Sequence, residues 1–132
     1  MVMGRKHGFT LIEIVVVIII VGILAALGFT QYTKVVEKGR TAEAKSILGA
    51  LRTAQRAYNL ERGGYANNVA DLPVEAVAAC TNTHYFRYSC FATGACTATR
   101  CTGATGKQPG GPSNYTITLD INGNWSGTPG YY

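Results

Sequence analysis

The chain has 132 residues, room for one domain and little more. Hydrophobic residues make up 47% of it but crowd toward the N-terminus, while the last third is rich in Thr, Gly, Asn and Ser. The net charge of +5 is scattered with no Lys/Arg run of the kind that marks a nucleic-acid stripe, which argues against a specific nucleic-acid binder.

The first element in chain order is an apolar run, Phe9 to Phe29, preceded by Arg5 and Lys6. As a helix it spans about 30 Å, the thickness of a bilayer's hydrocarbon core. Arg5 and Lys6 then stay on the cytoplasmic side by the positive-inside rule. A membrane anchor and a secretory signal both fit this outline, with Ala26-Leu27-Gly28 as a small-x-small cleavage site for the latter. Neither needs Glu13, a carboxylate whose burial in lipid costs about 2.5–3.5 kcal/mol on insertion scales.

The stretch Gly8-Phe9-Thr10-Leu11-Ile12-Glu13 resembles the processing motif of type IV prepilins, and the following IVVVIIIVGILAAL, with Gly22 and Ala25-Ala26, resembles the family helix. The resemblance is specific from Arg5 to about Tyr32 and runs on more weakly to Leu72. It implies a leader of residues 1–8, cut after Gly8 by a membrane-embedded prepilin peptidase that also N-methylates the new terminus, Phe9. It implies that Glu13 of one subunit meets the Phe9 amine of its neighbour in a staggered helix bundle. Pairing offsets the cost of a buried carboxylate only in the correct register, so Glu13 specifies stagger more than it adds stability. Thr30 stands where relatives often carry Pro, so melting of the helix between Gly22 and Thr30 in a fibre is an open question.

Beyond Phe29 the pattern turns amphipathic. Ala44, Ile47, Leu48, Leu51, Ala54 and Tyr58 line one helical face, with Glu43, Lys45, Arg52 and Arg56 elsewhere. Gly63-Gly64 stops the helix, with Arg62 in its last turn. The spacing predicts one helix over 9–62, about 80 Å long, whose first part needs lipid or other helices and whose second part needs a partner on one face.

A head of residues 63–132 follows. Its GGYANNVADL start resembles the connection after the long helix in type IVa-like pilins, with Tyr65 and Leu72 docking on the helix. Strands are expected at His84–Phe91, Ala95–Cys101 and Asn114–Ile121, the last with Tyr115, Ile117, Leu119 and Ile121 on one face. Asn122-Gly123 reads as a tight turn into a short fourth strand, and Thr102–Ser113 as a loop. The fold class is therefore α+β: a long N-terminal helix, its first half membrane-embedded and protruding, its second half covered by a small antiparallel sheet.

Four cysteines behind an export-like N-terminus fit disulfides in an oxidising compartment. If residues 92–94 turn a hairpin, Cys90 falls opposite Cys96 and Cys101 lies near Cys80, a nested arrangement. Three pairings are open on sequence, and Cys80–Cys90 with Cys96–Cys101 is the next choice.

Chemistry is sparse. The spacing of Cys and His suggests no zinc site, and Asp120 is the only acid after position 80, too few for a Ca²⁺ cage. His84 has no adjacent nucleophile or orienting carboxylate, so no metal, cofactor or catalytic role is expected. Asn114-Tyr115-Thr116 and Asn124-Trp125-Ser126 match the glycosylation sequon, a frequent chance match. Gly106 to Gly110 spells a GxxxG in a polar loop, where it has no bearing on helix pairing.

The resemblance implies a pilus subunit: a homo-oligomer in a helical filament, handled by the prepilin peptidase and methyltransferase and by inner-membrane assembly machinery, without a specific nucleic-acid partner. The precursor would sit in the bacterial inner membrane as a single-pass chain with its N-terminus in the cytoplasm, and the product would be extracellular. A pseudopilin of type II secretion or a minor pilin shares the same start. A secreted or anchored binding domain is the alternative of another class.

Overall fold

The computed structural model describes residues 8–103, 105–107 and 114–132, with Thr30 described for its backbone alone. Arg5, Lys6 and the other residues of the expected leader before Gly8, and residues 104 and 108–113 of the loop expected at Thr102–Ser113, Gly110 among them, lie outside the described residues. The chain falls into two units, Met1–Glu37 and Lys38–Tyr132. One helix, α1 (Leu11–Arg62), contributes to both. It is helical through Thr30, as expected where no proline interrupts the hydrogen-bond ladder.

In the first unit, α1 is apolar on all sides from Ile14 to Phe29. Every large hydrophobic side chain from Phe9 to Leu27 is at least 38% exposed. The helix is long and apolar enough to cross a membrane. A helix that is hydrophobic all round is stable only in lipid or among other helices.

The second unit builds a core on one stripe of α1. Ala44, Leu48, Leu51 and Ala54 are buried, and Ile47 and Tyr58 pack against the same cluster. The helix ends at Arg62, where Gly63 takes a left-handed φ of 76° and donates its N–H to Asn59 O at 2.8 Å. A 3-10 turn follows at Val69–Asp71, capped by Asn68, whose side chain accepts from Ala70 N–H. Leu72 is buried in the core, while Tyr65 is half-buried with its ring close to Gly94.

Four strands make one antiparallel sheet in the order β1-β2-β3-β4: β1 (Phe86–Cys90), β2 (Cys96–Arg100), β3 (Thr116–Leu119) and β4 (Trp125–Gly127). Each of the first three lies inside the longer segment read from sequence. Alternation sets the buried face: Phe86, Tyr88 and Cys90 on β1, Cys96, Ala98 and Arg100 on β2, Ile117 and Leu119 on β3. On the outer face, Thr97 and Thr118 share a hydrogen bond at 2.8 Å.

The two hairpins use one device. Gly94 N–H donates to Phe91 O and Phe91 N–H to Ala95 O, and Gly123 N–H donates to Asp120 O and Asp120 N–H to Asn124 O. Each is a three-residue loop with glycine last, at φ of 83° and 98°. The second turn is thus one residue longer than a two-residue Asn-Gly turn, because Asn122 needs no positive φ here and only Gly123 supplies one.

At that second turn Asn124 donates its side-chain amide and its backbone N–H to the Asp120 carboxylate, both at 2.8 Å. These bonds, the amide foremost, hold the Asp120 carboxyl below the usual carboxylate range. The unfolded value is about 3.9, so the ionised group adds stability above about pH 4, and that contribution fades as pH falls through the lower folded value. In an NMR titration the Asp120 midpoint is expected to rise toward the ordinary range in an Asn124→Ala chain, and an unmoved midpoint would show that the amide has no such effect.

Disulfides join Cys90 to Cys96 and Cys80 to Cys101, with Cα separations of 4.1 Å and 5.7 Å. Cys90 and Cys96 are register partners at the closed end of the β1–β2 hairpin. Cys101, just past β2, ties the segment before β1 to the hairpin's open end. The Cys80–Cys101 bridge closes a loop with a sequence separation of 21. Replacing both residues by Ser is expected to cost the head about 3 kcal/mol, read from denaturant unfolding of the oxidised chain.

Candidate functional site

The residues singled out at the N-terminus come together around the first turn of α1. Gly8, Phe9 and Thr10 precede the helix and are exposed, Phe9 at 83%. Thr10 N–H donates to Glu13 Oε2 at 2.9 Å, and Thr10 Oγ1 donates to the same oxygen at 2.8 Å. The Glu13 N–H in turn donates to Thr10 Oγ1 at 3.4 Å. This reciprocal arrangement is a capping box, with Thr10 as the cap and Glu13 three residues on. Two of the helix's orphan donors are satisfied, and the carboxylate lies at the positive end of the helix dipole.

The expected pair between Glu13 and the Phe9 amine joins two copies and requires a cut after Gly8. Within the uncut chain Glu13 is bonded to Thr10 instead. The signal for this was in the sequence, since Thr-x-x-Glu ahead of an apolar run is a helix-start signature, and Thr10 belongs to the site for that reason.

Two buried polar contacts in the second unit were not read from sequence. Gln55 is fully buried, and its amide brackets one residue: Nε2 donates to Ala66 O and Oε1 accepts from Ala66 N–H, each at 2.8 Å. That two-way bond fixes the chain's return path onto α1. Arg100 is buried on the inner face of β2, donating to the carbonyls of Cys101 at 2.6 Å and Tyr85 at 3.2 Å. Its guanidinium also lies 5.3 Å from the Tyr85 ring and 5.9 Å from the Phe86 ring.

The remaining candidates have local roles. His84 is half-buried, with Nδ1 within 2.9 Å of the Thr81 and Thr83 hydroxyls. Of the sequon asparagines, Asn114 Oδ1 accepts from the Thr102 hydroxyl, and Asn124 donates its amide to Asp120. Among the described residues no three His, Cys, Asp or Glu side chains group as metal ligands.

Comparison with known proteins points the same way at both ends of the chain. Residues 3–29 match the family model for the prokaryotic N-terminal methylation motif. Residues 41–118, more than half of the chain, match the model described as type IV pilin-like G and H. The type IV major pilin protein PilA of Myxococcus xanthus (strain DK1622) is 41% identical over 63 residues, 48% of this chain and 29% of that protein. The fimbrial protein EcpC of Eikenella corrodens is 36% identical over 80 residues, 61% of this chain and 50% of its own. The type IV major fimbrial protein FimA of Dichelobacter nodosus is 43% identical over 49 residues, 37% of this chain and 31% of its own. The matched region thus spans half or less of each of these relatives' lengths. With a methylation-motif match that takes in the bare apolar start of α1, and a family match running from the second part of α1 through β1 and β2 into β3, the chain belongs to the type IV pilin-like family.

Proposed function

We propose that this chain is a structural subunit of a type IV pilus, with no catalytic role. The observation that carries the reading is the pairing of a processing motif, Gly8-Phe9 with Glu13, and a helix whose large apolar side chains are exposed from Leu11 to Phe29. Such a helix is insoluble alone and finds apolar surroundings first in lipid and then among its own copies. In this reading, residues 1–8 are a leader that keeps Arg5 and Lys6 on the cytoplasmic side, and residues 9–29 are the membrane span and later the fibre core. The head, residues 63–132, forms the outer surface. Prepilin peptidase cuts between Gly8 and Phe9 and methylates Phe9, and inner-membrane machinery assembles the product into an extracellular fibre.

Cleavage changes what Glu13 faces. The new Phe9 amine is a cation, and in a staggered bundle that of the next copy satisfies the Glu13 lone pairs not taken by Thr10. Capping holds the carboxylate in place at the helix start, ready for that partner.

The test is mass spectrometry of fibres sheared from cells that express the chain. A subunit beginning at methylated Phe9 is the expected result. A chain in fibres that begins at Met1 or Phe29 overturns the processing claim. Fibres that lack the chain as a major component move it to a minor pilin or a type II secretion pseudopilin.

A further inference from the structure

The sequence has seven asparagines, and only Asn122 is followed by glycine. The pair lies in the β3–β4 turn. Asn122 is exposed, and Gly123 has a left-handed φ of 98°. The turn's backbone therefore calls for glycine at 123 and for no particular residue at 122, where φ is not positive. An asparagine side chain can reach the backbone nitrogen of the next residue and close a succinimide ring on it. The side chain of that next residue ordinarily hinders the approach, and glycine has none. One bond restrains the nitrogen here: Gly123 N–H donates to Asp120 O at 3.1 Å. A hydrogen bond of this kind favours the closed turn by about fivefold, so opened turns are always present.

Two guanidiniums bracket Asn122 along the backbone. On its N-terminal side, Arg52 Nε and Arg56 Nη2 both donate to Ile121 O, at 3.0 and 3.1 Å. On its C-terminal side Arg52 packs on Gly123, where an added methyl group would stand 3.0 Å from Arg52 Nη2. Both arginines rise from one face of α1, four residues apart. The hairpin's own carboxylate, Asp120, is occupied by the side-chain amide and backbone N–H of Asn124. Among the described residues, neither arginine has a carboxylate within ion-pair distance. Two cations thus meet at a turn with no anion to answer them, beside a residue that can become one.

We propose that Asn122 is a site of spontaneous covalent modification, deamidation through a succinimide, and that Arg52 and Arg56 favour the step and hold its product. The Gly123 nitrogen gives its proton to hydroxide, and its electron pair forms a bond to Asn122 Cγ. The Cγ–Nδ2 bond breaks, and Nδ2 takes up a proton from water and leaves as ammonia. Water then adds to one of the two ring carbonyls and opens the ring. Attack at Cγ gives aspartate, and attack at the backbone carbonyl gives isoaspartate, whose main chain runs through the side-chain carbons. Negative charge develops on the nitrogen, then on the carbonyl oxygens, and ends on the new carboxylate. Fixed cations at the turn stabilise each of these over the neutral asparagine. A guanidinium carries several donors, and each arginine uses one on Ile121, so a carboxylate can be bound without breaking the turn. Conversion adds one negative charge to a chain of net +5, beside the cations that tie this hairpin to α1. Older copies then differ from new ones at a defined, exposed point.

The test is to age the full chain in detergent and mildly alkaline buffer, digest it, and map the peptides by mass spectrometry, with chromatography to separate isoaspartate from aspartate. The Asn122 peptide is expected to gain the mass of an amide-to-acid conversion while the other asparagines stay intact. In an Arg52→Gln/Arg56→Gln chain conversion should be about fivefold slower, the size of an exposed charge effect. Both chains should convert at one rate once unfolded in denaturant. In an Asn122→Asp chain, NMR titration should place the new carboxyl below the ordinary range, and replacing the arginines should return it. An Asn122 that stays intact in the folded chain but converts in denaturant overturns the proposal, since the turn then protects it. Equal or faster conversion without the arginines, in chains shown by circular dichroism to be equally folded, overturns their part in the step. A carboxyl at 122 that titrates in the ordinary range overturns their hold on the product.

Discussion

A Glu13→Gln chain is expected to insert in the membrane, lose its leader and then fail to enter fibres, with sheared yield down at least about tenfold. The substitution isolates charge from capping. Glutamine keeps an oxygen that accepts from Thr10, so the start of α1 survives, since Gln serves in a capping box as Glu does. What it loses is the negative charge that a neighbour's Phe9 amine needs. Glu13→Ala removes both. Immunoblots of sheared and membrane fractions, with the mass of the membrane-bound chain, separate the cases. If Glu13→Gln assembles like the wild type while Glu13→Ala does not, Glu13 is a cap and no inter-subunit pair depends on it. Loss of cleavage in either chain would place Glu13 in recognition by the peptidase instead.

Gln55→Leu is expected to be the most damaging polar substitution in the head. Leucine fills similar volume but offers nothing to the N–H and C=O of Ala66, both of which Gln55 satisfies at 2.8 Å. Ala66 is 1% exposed, so water does not replace the lost partners. Leaving a buried backbone group unpaired costs about 1–3 kcal/mol, so two groups put the loss at roughly 3 kcal/mol, part of it recovered by leucine's own burial. For a unit of this size that corresponds to a fall in Tm of roughly 10–20 °C. Thermal unfolding of the full chain in detergent, followed by circular dichroism, measures it. A fall no larger than that of an exposed control such as Arg56→Leu would mean that the Gln55–Ala66 pair is dispensable.

Much of the fold was legible in the sequence because its signals are local and periodic. The stripe from Ala44 to Tyr58 repeats at helical spacing, and the residues named on it are those that reach the core. Tyr115, Ile117 and Leu119 alternate, and all three are buried. The strands came out shorter than their apolar patterns because a ladder ends where a partner ends, which the pattern does not record. The capping box at Thr10 and Glu13 was equally local, but it was hidden by the stronger signal of a carboxylate in an apolar run.

Polar groups buried at a distance were not legible. Gln55 stands at core spacing on α1, yet nothing local says that its amide meets a backbone eleven residues on. Arg100 sits in an alternating strand where a cation belongs outside, and it faces inward because the carbonyls of Tyr85 and Cys101 and two aromatic rings converge on it there. The sequence by itself determined the long helix with its bare apolar start, the processing motif, the core stripe and the strand faces, since each depends on covalent spacing and on the period of helix or strand. Only the tertiary structure decided where the polar interior finds its partners. Those outcomes depend on which segments the chain brings side by side, and hydrogen bonds and fields act across space rather than along the sequence.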